Sequence, residues 1–524
     1  METLTEIKDI KKVVLTGEDL TLAELIAVSQ YSAEVVISDE AKHRIDDSRA
    51  IVDGIVERED IIYGITTGFG SLARVNISKE DSAQLQENLI RTHACGHGNP
   101  LPTKTVRALM LIRINALVKG FSGIRRSTLD TLLAMLNKGV HPHIPEKGSL
   151  GASGDLAPLS HMVLPMLGLG RAEFGGDLMS GKAAMEAAGI PVISLAAKEG
   201  LALINGTPVL TAIGAIALYE GIQLLELADI AAALTMEALR GIITAFDERI
   251  HVIRPHAGQV RTARNIRMLL EGSTYVTKQG EIRVQGPYSI RCVPQIHGAT
   301  KDALEFVKEK VDIEINSVTD NPIVLPDGDV ISGGNFHGEP MALPFDFLGI
   351  GLAEIANVSE RRLERLLNNS LSGFPSFLVS HSGLNSGFMI TQYAAAALVS
   401  ENKVLAHPAS VDSIPSCENQ EDLVSMGAHA ARKAAEIADN VRRVIATEIL
   451  AACQAIDFAS AEAEGGRVLG KGTQAAYDAV REVNAFIDYD KDIEMYDELE
   501  KVTALLVDGS LLDRVRKAVD IEAF

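Results

Sequence analysis

Tryptophan is absent from this chain of 524 residues, and aromatic residues make up only 4% of it. Alanine and leucine therefore dominate the apolar 47%, which favours closely packed helices over a β-sandwich. Cysteine is also rare. The chain has four cysteines, which lie far apart and form no CxxC pair. This spacing is typical of reduced thiols in a cytoplasmic protein.

Positive charge is scarce as well. The 49 basic residues are outnumbered by 70 acidic ones, and the net charge of −21 argues against a nucleic-acid or anionic-membrane partner. The acidic amino-terminal segment, residues 1–6, has no apolar run of the secretory kind, so we expect a cytoplasmic location. Residues 201–219 carry no charge, but they contain Asn205 and Pro208. A buried core helix therefore explains them better than a membrane span.

The length of the chain predicts more than one domain. Residues 1–200 alternate short helical patterns with glycine-rich loops, whereas residues 201–524 show long helical periodicity. A short hairpin is predicted over residues 323–331. We therefore predict a mostly α fold with a loop-rich N-terminal domain over residues 1–200. A long central helical bundle with C-terminal helices would occupy residues 201–524.

One short segment, residues 148–155 (GSLGASGD), carries unusual chemistry. Because Gly154 has no side chain, its amide nitrogen can approach the carbonyl carbon of Ala152 closely. Ring closure with loss of water, followed by dehydration of Ser153, would create an exocyclic methylene group. That group is an electrophile, which no unmodified side chain provides. The tripeptide alone is common, so the interpretation depends on the surrounding residues.

Residues 151–161 (GASGDLAPLSH) resemble the aromatic amino acid ammonia-lyase family, and the resemblance extends over about residues 20–457. In that family the tripeptide forms methylidene-imidazolone (MIO) autocatalytically. The resemblance implies an MIO group made from Ala152, Ser153 and Gly154, with no metal and no diffusible cofactor. It also implies a fumarase/aspartase-like helical fold and a homotetramer whose active sites are shared between subunits.

Residues 63–70 (YGITTGFG) resemble the family's loop that carries the catalytic base. Removing a proton from an unactivated carbon requires a strong base, and a tyrosine can serve if positive charge or hydrogen bonds lower its pKa. The pattern by itself fits a glycine-rich turn with a packed tyrosine. Together with the MIO motif, it assigns Tyr63 as the base.

Two segments resemble the family's contacts to the substrate ring. In residues 91–98 (RTHACGHG), His93 would hydrogen-bond a polar ring, whereas we expect His97 to be structural. The two histidines and the cysteine between them do not have the spacing of a zinc site. In residues 419–422 (NQED), Glu421 would reach an imidazole N–H. A carboxylate that caps a helix N-terminus would give the same pattern.

Further residues resemble those that hold the MIO group and the substrate in this family. Arg291 offers the planar fork that binds a carboxylate in a bidentate way, although an isolated arginine is more often a surface ion-pair partner. Asn205 also fits an ordinary N-cap of an apolar helix. The resemblance assigns the substrate carboxylate to Gln285, Arg291 and Asn335, and the MIO group to Asn205, Tyr288 and Phe336. Tyr288 would in addition assist proton transfer.

The combined assignments predict an ammonia-lyase. The resemblance implies that the amine of an aromatic L-amino acid adds to the MIO methylene and that Tyr63 removes a β-proton before ammonia is released. His93 and Glu421 together favour L-histidine as the substrate and trans-urocanate as the product. The alternatives are a tyrosine or phenylalanine ammonia-lyase and an aromatic amino acid 2,3-aminomutase.

Three positions depart from the pattern of the histidine-specific members. Thr66, Gly286 and Leu423 stand where those members usually carry asparagine, aspartate and histidine. Outside the class, Ser153 could act as an ordinary hydrolase nucleophile, or the chain could be a non-catalytic helical assembly protein. Either alternative would leave the tripeptide unmodified.

Overall fold

The computed structural model describes residues 4–72, 74–461, 466–487 and 491–524. In the first 200 residues, short helices alternate with small two- and three-stranded sheets. These elements are α1 (Leu4–Asp9), β1 (Lys12–Leu15), α2 (Leu22–Tyr31), β2 (Glu34–Ile37), α3 (Asp39–Arg58), α4 (Ser82–His93), β3 (His97–Pro100), α5 (Thr103–Leu117), α6 (Arg126–Lys138), β4 (His141–Pro142), β5 (Pro145–Lys147), α7 (Leu156–Val163), β6 (Arg171–Phe174), β7 (Asp177–Ser180) and α8 (Gly181–Ala187).

The rest of the chain is dominated by long helices, so the predicted mostly α fold is confirmed. Its elements are α9 (Glu199–Ile204), α10 (Pro208–Ala238), α11 (Glu248–Val252), α12 (Ala257–Leu269), α13 (Tyr288–Arg291), α14 (Val293–Glu314), β8 (Ile323–Val324), β9 (Val330–Ile331), α15 (Glu339–Leu367), α16 (Asn369–Ser372), α17 (Met389–Leu405), α18 (Gly427–Ala461), α19 (Lys471–Val483), α20 (Met495–Val507) and α21 (Ser510–Ala518).

Four long helices, α10, α14, α15 and α18, pack against one another as the central bundle. Their facing sides are rich in alanine and leucine, whose small or flexible side chains favour helix and allow close packing. By length and composition alone, α10, α15 and α18 could each cross a membrane. In α10, however, 89% of the most apolar window is buried inside the protein, as predicted for a core helix.

The sheets are small and local. Strands β1 and β2 pair in parallel, β3 pairs with β5, and β4, β6 and β7 form an antiparallel sheet. The predicted hairpin is present as β8 and β9, which close around residues 325–329. Buried apolar side chains from both sides of residue 200 belong to one continuous core. The division into two domains at that residue stays a prediction.

Candidate active site

A cavity of about 940 Å³ opens where the loop-rich first part of the chain meets the start of the bundle. Its wall is formed by loops and by helix α4, from widely separated parts of the sequence. Seven of the residues predicted for the site line this one cavity: Tyr63, His93, Ala152, Ser153, Asn205, Phe336 and Glu421.

Three long helices begin beside this cavity. A Cβ added to Gly338, the residue before α15, would lie 3.1 Å from Leu210 in the first turn of α10 and 2.5 Å from the hydroxyl of Ser425. Gly427, the first residue of α18, lies equally close to Leu210. The amino-terminal ends of α10, α15 and α18 therefore meet here. Because helix amino termini carry partial positive charge, the site favours a negatively charged group.

The turn that contains Ser153 is held by backbone contacts that only glycine permits. Gly154 has φ of +72°, and a Cβ there would lie 1.9 Å from the carbonyl oxygen of Gly206. That carbonyl accepts a hydrogen bond from the Asp155 amide at 2.7 Å. On the other side, Ser425 Oγ donates to the carbonyl of Gly151 at 3.0 Å. The turn is therefore fixed from both sides by the segments that precede α10 and α18.

Asp155 joins the same turn to the bundle. Its Oδ2 accepts hydrogen bonds from the amides of Val209 and Leu210, each at 2.9 Å, and its Oδ1 accepts from Ser149 Oγ at 2.7 Å. These amides belong to the first turn of α10, whose own N-cap, Thr207, makes no side-chain cap. Burial raises the pKa of Asp155 to about 6, and the hydrogen bonds from these donors oppose that rise.

Both polar groups of Ser153 have defined partners. Its hydroxyl donates to Glu421 Oε1 at 3.0 Å, and its carbonyl oxygen accepts from Asn205 Nδ2 at 2.8 Å and from the Gly206 amide at 3.4 Å. The N-cap interpretation of Asn205 is wrong, because Asn205 is the C-cap of α9 and α10 begins three residues later at Pro208. Its side chain is therefore free to bind the Ser153 carbonyl.

Tyr63 lies in the cavity wall with its hydroxyl oxygen accepting a hydrogen bond from the Gly70 amide at 3.2 Å. Burial raises the pKa of Tyr63, and the nearby Cys417 and Glu421 raise it further, although the Gly70 hydrogen bond opposes this. Within the described chain, burial outweighs the lowering effect of the Gly70 hydrogen bond on this pKa. The assignment of Tyr63 as the base stays a prediction.

His93 and Glu421 lie near each other in the cavity. Burial lowers the pKa of His93, and a hydrogen bond with the Leu89 backbone and the charge of Glu421 oppose that effect. Its Nδ1 lies 3.1 Å from Thr92 Oγ1. Glu421 Oε2 accepts a hydrogen bond from Ser416 Oγ at 2.7 Å. No helix begins at residues 419–422, because the chain there forms a short 3-10 turn and α18 starts only at Gly427, so the helix-capping interpretation is wrong.

The other predicted site residues lie outside this cavity. Asn335 is exposed next to Phe336, and its Nδ2 donates to the carbonyl of Val318 at 3.2 Å. The exposed Gln285 and Tyr288 and the partly exposed Arg291 lie much further away.

The distance to Tyr288 and Arg291 follows from the length of α15. Arg362 donates to the carbonyl of Ser289, the residue after Tyr288, at 3.5 Å. Arg362 lies 23 residues along α15 from Glu339, the first residue of that helix, which is beside the cavity. At 1.5 Å per residue this is about 35 Å. Arg291 stacks on the ring of Tyr288 with its guanidinium 4.7 Å from the ring centre, and Tyr288 is 71% exposed. One chain alone therefore does not bring this pair to Ser153.

The three positions that depart from the family pattern have different surroundings. Thr66 turns its hydroxyl into its own loop, where Oγ1 donates to the carbonyl of Asp60 at 2.6 Å, and the residue does not line the cavity. A Cβ at Gly286 would meet no atom within 4 Å. Leu423 does line the cavity, and its carbonyl oxygen accepts a hydrogen bond from His337 Nε2 at 3.2 Å.

Sequence reasoning assigned no role to several residues that shape the site. His337, Cys417 and Asn321 line the cavity, and Asp155 anchors the turn beneath it. His337 follows Phe336 directly, so its position in the same motif could have indicated that it belongs to the site. Nothing in the sequence could have linked Asp155 to the amides of a helix that begins 53 residues later.

The residues around the turn fit an MIO group. Gly154 lies in a cradle that a Cβ would fill, as ring closure through its nitrogen requires. The Ser153 hydroxyl, which would be lost as water, faces the cavity and Glu421. The Ser153 carbonyl oxygen, which would remain on the ring, is held by two N–H donors.

Comparisons with known proteins agree with this geometry. The profile of the aromatic amino acid lyase family matches residues 20–482. Histidine ammonia-lyase of Clostridium tetani is 69% identical over 515 residues, which cover 98% of this chain and all of that protein. The crystal structure of histidine ammonia-lyase from Trypanosoma cruzi superposes with a TM-score of 0.90 at 43% identity, covering 98% of this chain and 96% of that one. Tyrosine aminomutase from Streptomyces globisporus gives a TM-score of 0.93 at 37% identity, with coverage of 98% and 100%.

Proposed function

Because the chain belongs to the aromatic amino acid lyase family, we propose that it eliminates ammonia from L-histidine to give trans-urocanate. It is a carbon–nitrogen lyase, and relatives at 64–69% identity over nearly the whole chain are named histidine ammonia-lyase. The observation that carries the choice of substrate is the meeting of Ser153, Glu421 and His93 in one cavity. A tyrosine or phenylalanine ammonia-lyase is not favoured.

The proposed electrophile is an MIO group made from Ala152, Ser153 and Gly154, which would draw electrons away from the substrate amine. Asn205 and the Gly206 amide hold the oxygen of Ser153, and their N–H groups favour negative charge on it. Phe336 lines the same cavity. Tyr63 is the proposed base for the β-proton. No diffusible cofactor or metal takes part in this proposal.

The proposed contacts to the substrate ring are a histidine and a carboxylate. The Nδ1 atom of His93 lies near Thr92, which leaves Nε2 to face a polar ring. Glu421 is held in place through Ser416, so one of its oxygens can accept a hydrogen bond from an imidazole N–H. An apolar ring would cover His93 Nε2 and Glu421 Oε1 without offering either a hydrogen bond, and this costs binding energy.

We propose that the site is completed by other subunits of a homotetramer. Arg291 and Tyr288 lie about 35 Å from the cavity of their own chain, as the length of α15 requires. The cavity in turn has no cation that lowers the pKa of Tyr63 in the described chain. A neighbouring subunit that presents Arg291 and Tyr288 would supply positive charge for the base and a fork for the substrate carboxylate.

We also propose that the protein works in the cytoplasm. All four cysteines are free thiols in the structure, which suits a reducing compartment. Fractionation of the native cells, followed by an activity assay, would test this location.

The test of the substrate is a parallel assay of the purified protein with L-histidine, L-tyrosine and L-phenylalanine. Each elimination creates a conjugated acid with its own ultraviolet band, and proton NMR of the mixture reveals any β-amino acid. We expect urocanate from histidine and a rate at least about 100-fold lower with the other two, because both ring contacts are polar. Faster coumarate or cinnamate formation, or a β-amino acid product, would overturn the proposal.

A further inference from the structure

A single arginine is buried directly behind the turn that contains Ser153. Arg113 lies in α5 within an apolar run, residues 109–117 (LMLIRINAL), and its side chain is fully buried. Among the described residues, none accepts a hydrogen bond from any of its three guanidinium nitrogens. A buried charge without partners is costly, so its presence in a packed core requires a compensating interaction.

Arg113 is in contact with the residue that holds the Ser153 oxygen. A Cβ placed on Gly206 would lie 2.9 Å from Arg113 Nη1. The amide of the same Gly206 donates to the Ser153 carbonyl at 3.4 Å, and its carbonyl accepts from the Asp155 amide at 2.7 Å. Gly206 therefore separates the Arg113 guanidinium from the Ser153 carbonyl oxygen. An electrophile formed in this turn would draw negative charge toward that oxygen.

A second buried cation and one carboxylate interact with Arg113. Lys198 Nζ, also fully buried, pairs with Asp320 Oδ2 at 2.7 Å. The charge of Asp320 acts on Arg113 and on Lys198 alike, so two cations share this carboxylate. Burial lowers the pKa of Arg113 to about 10, which leaves the group charged at neutral pH. In a buried region of low dielectric constant, such a charge acts more strongly than it would at the surface.

We propose that Arg113 is a positioning residue that stabilises negative charge on the Ser153 oxygen from behind Gly206. It touches neither the substrate nor the reacting carbon. Its contribution is a fixed positive charge, which makes the turn a stronger electrophile once the MIO group has formed. This inference rests on the proposed function, because it requires the modified tripeptide.

The test compares three variants of the purified full-length protein with the wild type. Arg113→Met removes the charge and keeps much of the length, whereas Arg113→Lys keeps the charge. Arg107→Met is the matched control, because Arg107 is buried on the same helix but donates to the carbonyls of Val28 and Leu136. Intact mass reports whether two waters have been lost. The fall in MIO absorbance on titration with 2-mercaptoethanol then gives the affinity of the turn for a simple nucleophile.

We expect all four proteins to lose two waters. The thiol dissociation constant should rise roughly tenfold in Arg113→Met and stay within about threefold of wild type in Arg113→Lys and Arg107→Met. With L-histidine, kcat of Arg113→Met should fall by a similar factor while KM changes little. Equal thiol affinity in Arg113→Met and the wild type would overturn the inference. A wild-type mass without water loss would instead refute the proposed function on which it rests.

A second variant keeps the inference testable if Arg113→Met does not fold. Asp320→Asn removes the carboxylate that partly neutralises Arg113 and Lys198. The positive charge behind Gly206 then increases, so thiol binding should become several-fold tighter. Unchanged or weaker thiol binding in a folded, matured Asp320→Asn protein would contradict the role of Arg113.

Discussion

The hydroxyl of Ser153 donates a hydrogen bond to Oε1 of Glu421 across 3.0 Å, although 268 residues separate the two in sequence. The second oxygen of Glu421, Oε2, accepts a hydrogen bond from Ser416 Oγ, and this bond keeps the carboxylate in place. If Ser153 is dehydrated as proposed, its hydroxyl would be lost and Oε1 would lose this partner. The same atom could then accept an imidazole N–H from a substrate in the cavity. Formation of the electrophile would thus free the group that recognises the substrate.

Replacement of the serine tests the electrophile directly. Ser153→Ala cannot be dehydrated, so we expect kcat with L-histidine to fall at least about 10³-fold and the intact mass to show no loss of water. Ser160→Ala is the matched control, because that buried hydroxyl only donates to the carbonyl of Leu156 within α7. Turnover near the wild-type rate in Ser153→Ala would refute the mechanism.

The ring contact at His93 predicts a change in specificity. His93→Leu removes a neutral hydrogen-bonding ring from the cavity, and we expect kcat/KM for L-histidine to fall roughly 100-fold while that for L-phenylalanine rises. His97→Leu, four residues later on the exposed strand β3, should leave both values unchanged. The measurement is a pair of steady-state assays for each variant. Equal losses in His93→Leu and His97→Leu would show that neither reads the ring.

Buried Asp155 predicts a dependence of stability on pH. Its pKa is raised by burial from 3.8 to about 6, so the folded protein binds this proton more tightly than the unfolded chain does. The stability associated with protonated Asp155 is present below about pH 4 and is lost as the pH rises through about 6, a change of about 3 kcal/mol. The unfolding midpoint of Asp155→Asn should therefore rise relative to the wild type between pH 4 and pH 7.

An exposed carboxylate provides the control for this experiment. Asp329 lies on the exposed hairpin that joins β8 and β9, so Asp329→Asn should follow the wild type at every pH. Thermal unfolding followed by circular dichroism gives the three midpoints. A constant difference between Asp155→Asn and the wild type across this range would show that Asp155 does not titrate there.

The fold was predictable because helical periodicity is a local property. The spacing of Leu348, Leu352, Ile355 and Val358 predicts α15, and the Pro-Asp-Gly turn predicts the hairpin of β8 and β9. Helix ends were less certain, since Asn205 matches an N-cap by type although Gly206 and Thr207 separate it from α10. A cap is defined by backbone geometry, which residue type alone does not give.

The site was predictable only where a motif carried it. Tyr63, Ser153 and Glu421 came from recognised segments, and the structure brings them to one cavity. The anchoring of α10 by Asp155 and the placement of Arg113 behind Gly206 depend on contacts between distant segments. Arg113 did leave one signal, a lone charge in an apolar helix. Such a residue points to a buried role but not to its location.

The last prediction follows from the proposal that subunits share the active site. Arg291 is about 35 Å from the cavity of its own chain, whereas Tyr63 and Ser153 line the same cavity. Ser153→Ala and Arg291→Ala homotetramers should each be inactive. Chains of the two kinds, co-expressed in equal amounts with different tags, should form mixed assemblies. In these mixed assemblies, the Arg291→Ala chain supplies an intact cavity and the Ser153→Ala chain supplies an intact Arg291.

Random pairing of the two chains should restore about one quarter of the wild-type activity, because half of the cavities and half of the arginines are intact. The control pairs Ser153→Ala with Tyr63→Phe, two changes that damage the same cavity. No mixture of these chains contains a cavity with both residues intact, so activity should not return. If the Arg291→Ala mixture also stays inactive while its tags co-purify, each subunit must build its site alone. Arg291 could then bind the substrate only if α13 moved about 35 Å toward the cavity of its own chain.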